Sequence, residues 1–171
     1  MKRTGVMALI LVTNLVLLST LFQHLRIFHI IPNTTVALVV SYALLRGSAG
    51  GGRLGFCAGL MQDLLFGPSI GFYALLYLLC GLFCGRRSRD FYRENYLLPV
   101  LFTALCTLFC GLAVYVTGFL FRGHYNPLPY LTGTILPETV YTGLVCPFLY
   151  RLLFSVNDAL ERGESHKRKL F

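Results

Sequence analysis

Two acidic side chains, Asp63 and Glu138, lie inside long apolar stretches of the 171-residue sequence. A carboxylate at the centre of a membrane costs about 2.5–3.5 kcal/mol on insertion scales, so such residues face protein or water and often mark functional sites. Their chemistry in that setting is that of a buried hydrogen-bond acceptor or a proton carrier. A helix that carries Asp63 and several glycines should not insert alone, and we expect Asp63 to face other helices.

Asp63 belongs to a row of residues spaced four apart. A step of four turns a helix by about 400°, so the members of the row share one slowly winding face. Small residues at this spacing let two membrane helices approach closely, since lipid provides little hydrophobic drive for their association. We interpret the row as a helix-packing or partner-binding face. Its members are Gly51, Gly55, Gly59, Asp63, Gly67 and Gly71.

Glu138 directly follows Pro137 in the last apolar stretch. Proline has no N–H, so backbone carbonyls in the preceding turn lose their partners and the helix should bend. Two interpretations of Glu138 stay open. It is either a functional or partner-binding residue, or a carboxyl group that caps donors freed at the bend.

Six cysteines also fall within apolar segments. Zinc sites usually lie on polar loops and use other spacings than the two C-x-x-x-C pairs found here. We interpret the cysteines as small packing residues. We also predict no catalytic residue, metal site or cofactor, because no Ser-His-Asp set, phosphate-binding loop or cofactor motif stands out. The cysteines are Cys57, Cys80, Cys84, Cys106, Cys110 and Cys146.

The composition indicates a membrane protein. Hydrophobic residues make up 56% of the chain and charged residues only 13%, whereas about a quarter of the residues in a soluble domain are charged. The net charge of +8 would suit nucleic acid if it formed a patch on a folded surface. The basic residues instead separate apolar segments, so we predict the lipid bilayer as the surroundings and no nucleic-acid partner.

The apolar segments predict an all-α integral membrane protein with six transmembrane helices in a single domain, residues 1–171. The second to fourth helices are short for a hydrocarbon core of about 30 Å, which predicts a glycine-rich inner element enclosed by longer helices. A turn over residues 46–53 precedes the third helix. Asn14, in the first helix, should form a hydrogen bond with another helix. The helices span about residues 5–22, 32–45, 52–66, 70–84, 96–121 and 130–154, and 155–171 form a basic cytoplasmic tail.

The distribution of basic residues predicts the orientation. With the N-terminus inside, 13 of the 15 Lys and Arg residues lie on the inner side, and only Arg26 and Arg122 lie outside. Cytoplasmic segments of membrane proteins carry this excess. We therefore predict that both termini, the turn at 46–53 and the loop at 85–95 are cytoplasmic.

Residues 32–85 resemble the bacterial rod shape-determining membrane protein family MreD. The shared pattern has a proline that opens the second helix and a Leu-Arg-Gly turn. The motif G-x-x-x-G-F-x-x-G-L-x-x-D follows, then a glycine-rich outer turn and an A-L-x-Y-x-L-x-G helix. In this sequence these parts are Pro32 and residues 45–47, 51–63, 67–71 and 74–81.

The resemblance implies a non-enzymatic scaffold subunit in the bacterial cytoplasmic membrane. Its implied partner is the bitopic protein MreC, and through the cell-elongation complex it is indirectly connected to MreB filaments and peptidoglycan synthases. The six-helix architecture is also similar to the substrate-binding subunits of energy-coupling-factor vitamin transporters. Under that alternative, Asp63 and Glu138 would line a ligand pocket. An ion or proton path has less support, because neither acid has a basic partner within its span.

Overall fold

The computed structural model describes residues 2–24, 32–66, 70–87, 97–122 and 130–168. All regular structure in these ranges is helical, in agreement with the predicted class. Gly67, residues 25–31 and most of the loop at 85–95 lie outside them. The helices are α1 (Lys2–His24), α2 (Thr34–Arg46), α3 (Ser48–Phe66), α4 (Phe72–Arg86), α5 (Leu97–Arg122) and α6 (Leu136–Arg168), with a π-helical turn (Leu131–Ile135) before α6.

Helix α2 lies at the centre of the molecule. Eleven of its 13 residues are buried, and it packs against every other helix. At 1.5 Å per residue it covers about 20 Å, which is short for a membrane span but acceptable for a helix surrounded by protein. The prediction that α3 and α4 are enclosed in the same way was wrong. Both expose apolar side chains, including Leu64 on α3 and Leu75 on α4.

The predicted turn at residues 46–53 was also wrong, because α3 begins at Ser48 and includes the triple glycine at 50–52. The chain passes from α2 to α3 through Gly47 alone, whose φ of 81° is in the left-handed region that favours glycine. Each glycine costs a helix about 1 kcal/mol relative to alanine. Close packing of Gly51 and Gly52, both buried, outweighs that penalty.

The last helix is longer and less regular than predicted. Helix α6 continues to Arg168, so the described part of the basic tail is helical. Directly before it, the π-helical turn has the N–H of Leu136 donating to the carbonyl of Leu131. Pro137 follows at once and cannot donate. The wider turn accommodates the interruption of the backbone pattern that the proline predicts.

Some polar side chains are paired between helices. Asn14 on α1 donates from Nδ2 to Thr35 Oγ1 on α2 at 3.2 Å, which confirms that Asn14 faces another helix. Five of the cysteines are buried, as expected for packing residues, but Cys57 is exposed on α3 and for it that interpretation was wrong. Across α4 and α5, the sulfur atoms of Cys84 and Cys106 lie 3.4 Å apart.

The described surface exposes many large apolar side chains, and the interior contains some polar groups. Leu97 and Phe148 are 80% and 83% exposed, whereas Asp63 and Asn157 are each 2% exposed. The core itself is mostly apolar, so the feature that differs from a soluble protein is the large number of exposed apolar side chains. By length and composition alone, two described helices could cross a membrane, and three shorter ones are apolar. The first two are Leu97–Gly118 and Leu131–Asp158, and the shorter ones are Gly5–Leu17, Thr34–Arg46 and Phe72–Arg86.

Candidate functional site: the Asp63 cap and the glycine contact

The Asp63 carboxylate caps the start of a different helix. Its Oδ2 accepts hydrogen bonds from the N–H groups of Gly71 and Ala74 at 2.9 and 3.0 Å, and its Oδ1 accepts from the N–H of Tyr73 at 2.9 Å. The first N–H groups of a helix have no partner within that helix. A negative charge at this position also interacts favourably with the helix dipole. Asp63 on α3 therefore provides the N-terminal cap of α4.

The residue that precedes α4 cannot provide this cap itself. Gly71 precedes α4 with a φ of 103° and makes no side-chain cap. Residues with a Cβ rarely adopt this conformation, and glycine has no side-chain oxygen that could accept. The structure therefore assigns Gly71 to the turn rather than to the predicted packing face, because a Cβ there would meet nothing within 4 Å.

The other described glycines of the row bring α3 into backbone contact with α4. A Cβ at Gly51, Gly55 or Gly59 would lie within 2.8 Å of a main-chain carbonyl oxygen of α4. Because these oxygens cannot move independently of α4, any side chain would force the helices apart. The glycines on α3 and the facing carbonyls on α4 both recur every four residues. Because the two helices are antiparallel, they form one continuous contact, which we call the glycine contact. Its facing carbonyls belong, in the same order, to Gly81, Tyr77 and Tyr73.

Helix α4 contributes two glycines that the sequence reasoning did not assign to a packing face. A Cβ at Gly81 would overlap the backbone of Gly51, and one at Gly85 would overlap that of Ser48. The four-residue spacing of Gly81 and Gly85 was the available signal. With Asp63 at one end and Gly85 at the other, α3 and α4 form a tightly closed hairpin.

A second polar centre lies around Asn33, which the sequence reasoning also missed. Its Oδ1 accepts from the N–H of Val36 at 3.2 Å and from the hydroxyl of Tyr77 at 3.3 Å. Its own N–H donates to Thr142 Oγ1 at 3.0 Å. Asn33 thus joins α2, α4 and α6. An asparagine directly before an apolar run is an N-cap signal and could have identified it.

Glu138 belongs to this second centre. Its main-chain oxygen accepts from Thr142 Oγ1 at 2.6 Å, and the same Oγ1 accepts from the N–H of Asn33. Thr142 thus links Glu138 to Asn33, and both interpretations of the Glu138 carboxyl group stay predictions. Tyr73, whose N–H donates to Asp63, has its ring 5.8 Å from that of Tyr77, and the Tyr77 hydroxyl donates to Asn33. The two predicted acids are therefore near the same end of the helices.

Asp63 and the glycine contact form one unit within residues 51–81, and the family comparison covers that unit entirely. The profile of the family described as rod shape-determining protein MreD matches residues 1–156. The chain belongs to the MreD family. This confirms the resemblance drawn from residues 32–85. No curated protein matched the chain, and neither did any solved structure.

Members of the MreD family are shape-determining membrane proteins, and the arrangement in this MreD chain is suited to holding helices together. Asp63 and Asn33 bond mainly to backbone amides and to side chains of neighbouring helices. Satisfied polar networks of this kind make a helix packing rigid and specific. Within the described ranges, no three His, Cys, Asp or Glu side chains are grouped to hold a metal ion.

Proposed function

We propose that this MreD-family chain is a non-enzymatic scaffold subunit of the bacterial cell-elongation complex. In this role it binds an MreC-like bitopic membrane protein and is connected through it to MreB filaments and peptidoglycan synthases. The family match over residues 1–156 is the observation that carries the proposal. The closed α3–α4 hairpin supports it, because a scaffold must present a fixed surface to its partner.

We further propose a six-span helical bundle in the cytoplasmic membrane with both termini inside. The apolar described surface and the buried polar groups support a lipid environment. The excess of Lys and Arg on one side, 13 of 15 residues, supports the orientation. In this arrangement the ends of α2 and α4, at Arg46 and Arg86, face the cytoplasm.

The alternative function, a substrate-binding subunit of a vitamin transporter, gains no support from the site. It would require Asp63 to line a ligand pocket. The Asp63 side chain is only 2% exposed, and both of its oxygens already accept hydrogen bonds from the backbone of α4.

The proposal is tested by purifying a tagged copy from native membranes and identifying the proteins that accompany it. We expect an MreC-like protein with a single membrane span to be enriched. A tagged, unrelated membrane protein of similar abundance provides the control. Recovery of a bound vitamin without such a protein would favour the transporter function and contradict the scaffold proposal.

A further inference from the structure

One arginine, Arg151, lies in the middle of an apolar, outward-facing surface of α6. Arg151 is itself exposed. At about 100° per residue, the exposed apolar side chains around it cover about 120° of the helix circumference, and Arg151 falls within that sector. We call this surface the Arg151 face. Its apolar members are between 54% and 83% exposed, and they are Leu152, Val140, Leu144 and Phe148.

Arg151 lies inside the membrane-capable part of α6 rather than at its end. The apolar helix reaches from Leu131 to Asp158, so Arg151 is about 10 Å from the nearer end at 1.5 Å per residue. Its neighbours Tyr150 and Leu153 are 1% and 0% exposed and belong to the hydrophobic core. A charge at this depth is costly unless it has a partner.

The described part of the chain provides no such partner. Other arginines are engaged: Arg46 donates from Nε to Asn157 Oδ1 at 2.9 Å, and Arg53 donates from Nε to the carbonyl of Ala49 at 3.0 Å. The guanidinium group of Arg151, in contrast, forms no hydrogen bond or ion pair with any residue in the described ranges. A partner for Arg151 must therefore come from outside the chain.

Lipid headgroups are poorly placed to be that partner. The Cα–Cβ bonds of a helix tilt toward its N-terminus, and the end of the span nearer to Arg151 is the C-terminal one. The side chain of Arg151 therefore leaves the backbone toward the middle of the span. To reach the nearer headgroups, as long basic side chains often do, it would have to turn back against that direction.

We propose that the Arg151 face binds a membrane-spanning helix of another protein, one that carries an Asp or Glu at the depth of Arg151. Lipid could cover the apolar side chains as well as a helix could, but it offers no carboxylate at this depth. Arginine and carboxylate form paired, charge-assisted hydrogen bonds. A second copy of this chain does not fit, because a two-fold contact would place Arg151 against its own equivalent. The inference requires α6 to span the membrane and does not depend on the partner proposed above.

Binding is measured by energy transfer between the labelled full chain and labelled peptides in phosphatidylcholine vesicles. The peptides are leucine-rich spans of about 20 residues, which carry either Asp or Leu at the depth of Arg151. We expect the Asp peptide to bind about fivefold more tightly than the Leu peptide. Equal binding of the two peptides would overturn the proposal.

Variants then locate the site. Arg151→Gln should remove the preference for the Asp peptide, and the matched control Arg53→Gln, an exposed arginine on α3, should retain it. Arg151→Glu should instead prefer a peptide with Lys at that depth, a reversal that a general loss of structure would not produce. A preference for Asp that survives Arg151→Gln would contradict the proposal.

The lipid explanation is tested in the same system. The full chain and Arg151→Gln are compared by native mass spectrometry for retention of phosphatidylglycerol and of phosphatidylcholine. We expect the substitution to leave the ratio of the two lipids unchanged. If Arg151→Gln abolished a preference for phosphatidylglycerol while the Asp and Leu peptides bound equally, lipid would be the partner and the proposal would fail.

Discussion

At the scale of single residues, Asp63 is stable in its apolar setting because its hydrogen bonds outweigh its insertion cost. That cost is about 2.5–3.5 kcal/mol, while a hydrogen bond to a charged group contributes about 1.5–3 kcal/mol. Asp63 accepts three such bonds from the N–H groups of Gly71, Tyr73 and Ala74. The carboxylate is therefore a net stabilising part of the hairpin.

Replacing Asp63 by leucine should destabilise the folded protein even though leucine inserts more easily. It leaves three N–H groups without their acceptor, at about 1–3 kcal/mol for each that stays buried. Asp63→Asn keeps one oxygen, which can occupy the Oδ2 position and retain two of the bonds. We expect thermal stability in detergent to fall in the order wild type, Asp63→Asn, Asp63→Leu.

The control is the adjacent residue Gln62, whose Oε1 is buried without a hydrogen bond. Gln62→Leu should not lower the unfolding temperature. An Asp63→Leu protein as stable as the wild type would mean that the cap contributes nothing.

Asn33 should also be sensitive to substitution, because it caps α2 and joins it to α4 and α6. Asn33→Ala removes the cap and the acceptor for the Tyr77 hydroxyl, and losing a cap alone costs about 0.5–2 kcal/mol. Asn33→Ser retains a capping oxygen but is too short to reach Tyr77. Thermal unfolding should rank serine between asparagine and alanine, and indistinguishable curves for all three would rule out this role.

At the scale of helices, the glycine row was predictable because a spacing of four residues directly indicates one face. Its counterpart was not predicted, since the facing atoms are main-chain carbonyls of α4, and the spacing of Gly81 and Gly85 was the available residue signal. The start of α3 was predicted incorrectly because the local sequence is misleading there. Local propensity disfavours glycines 50–52 in a helix, and their close packing against α2 and α4 outweighs it.

The glycine contact should tolerate no side chain. Gly55→Leu would place its Cβ on the carbonyl of Tyr77, and overpacking of this kind typically costs about 1–3 kcal/mol. Gly59→Leu should behave in the same way, and both should reduce the folded yield more than Leu65→Ala, which shortens an exposed side chain. Yield is measured by size-exclusion chromatography of the purified protein.

Gly118→Ala is the matched control, since a Cβ there meets nothing within 4 Å. Alanine is the better helix former, so this variant should be neutral or slightly more stable. If Gly55→Leu matched Gly118→Ala in yield, α3 and α4 would not need their close approach.

At the scale of the whole molecule, composition was enough to predict an all-helical protein. The central position of α2 and the second polar centre around Asn33 were not predictable, because both depend on which helices are neighbours. The same limit applies to Glu138. Thr142 links it to Asn33, which is 105 residues away in the sequence, and no local pattern pairs them.

The predicted topology is tested by reporter fusions. The proposed six-span arrangement would put 13 of the 15 Lys and Arg residues on the inner side, so a cytoplasmic reporter should be active when fused after residue 171, and an external reporter should not. A fusion within residues 123–129 should give the reverse result. An external reporter active at the C-terminus would contradict six spans with both ends inside.

The most direct test of the scaffold function is cell shape in a rod-shaped host that lacks its own copy of the protein. We expect such cells to become rounded, and the wild type and Gly118→Ala to restore rods. Asp63→Leu, compared at the same membrane abundance, should not restore rods, because we expect rod shape to require the hairpin that Asp63 holds closed. Cells that stay rod-shaped without any copy, or that Asp63→Leu restores as well as the wild type does, would contradict the account.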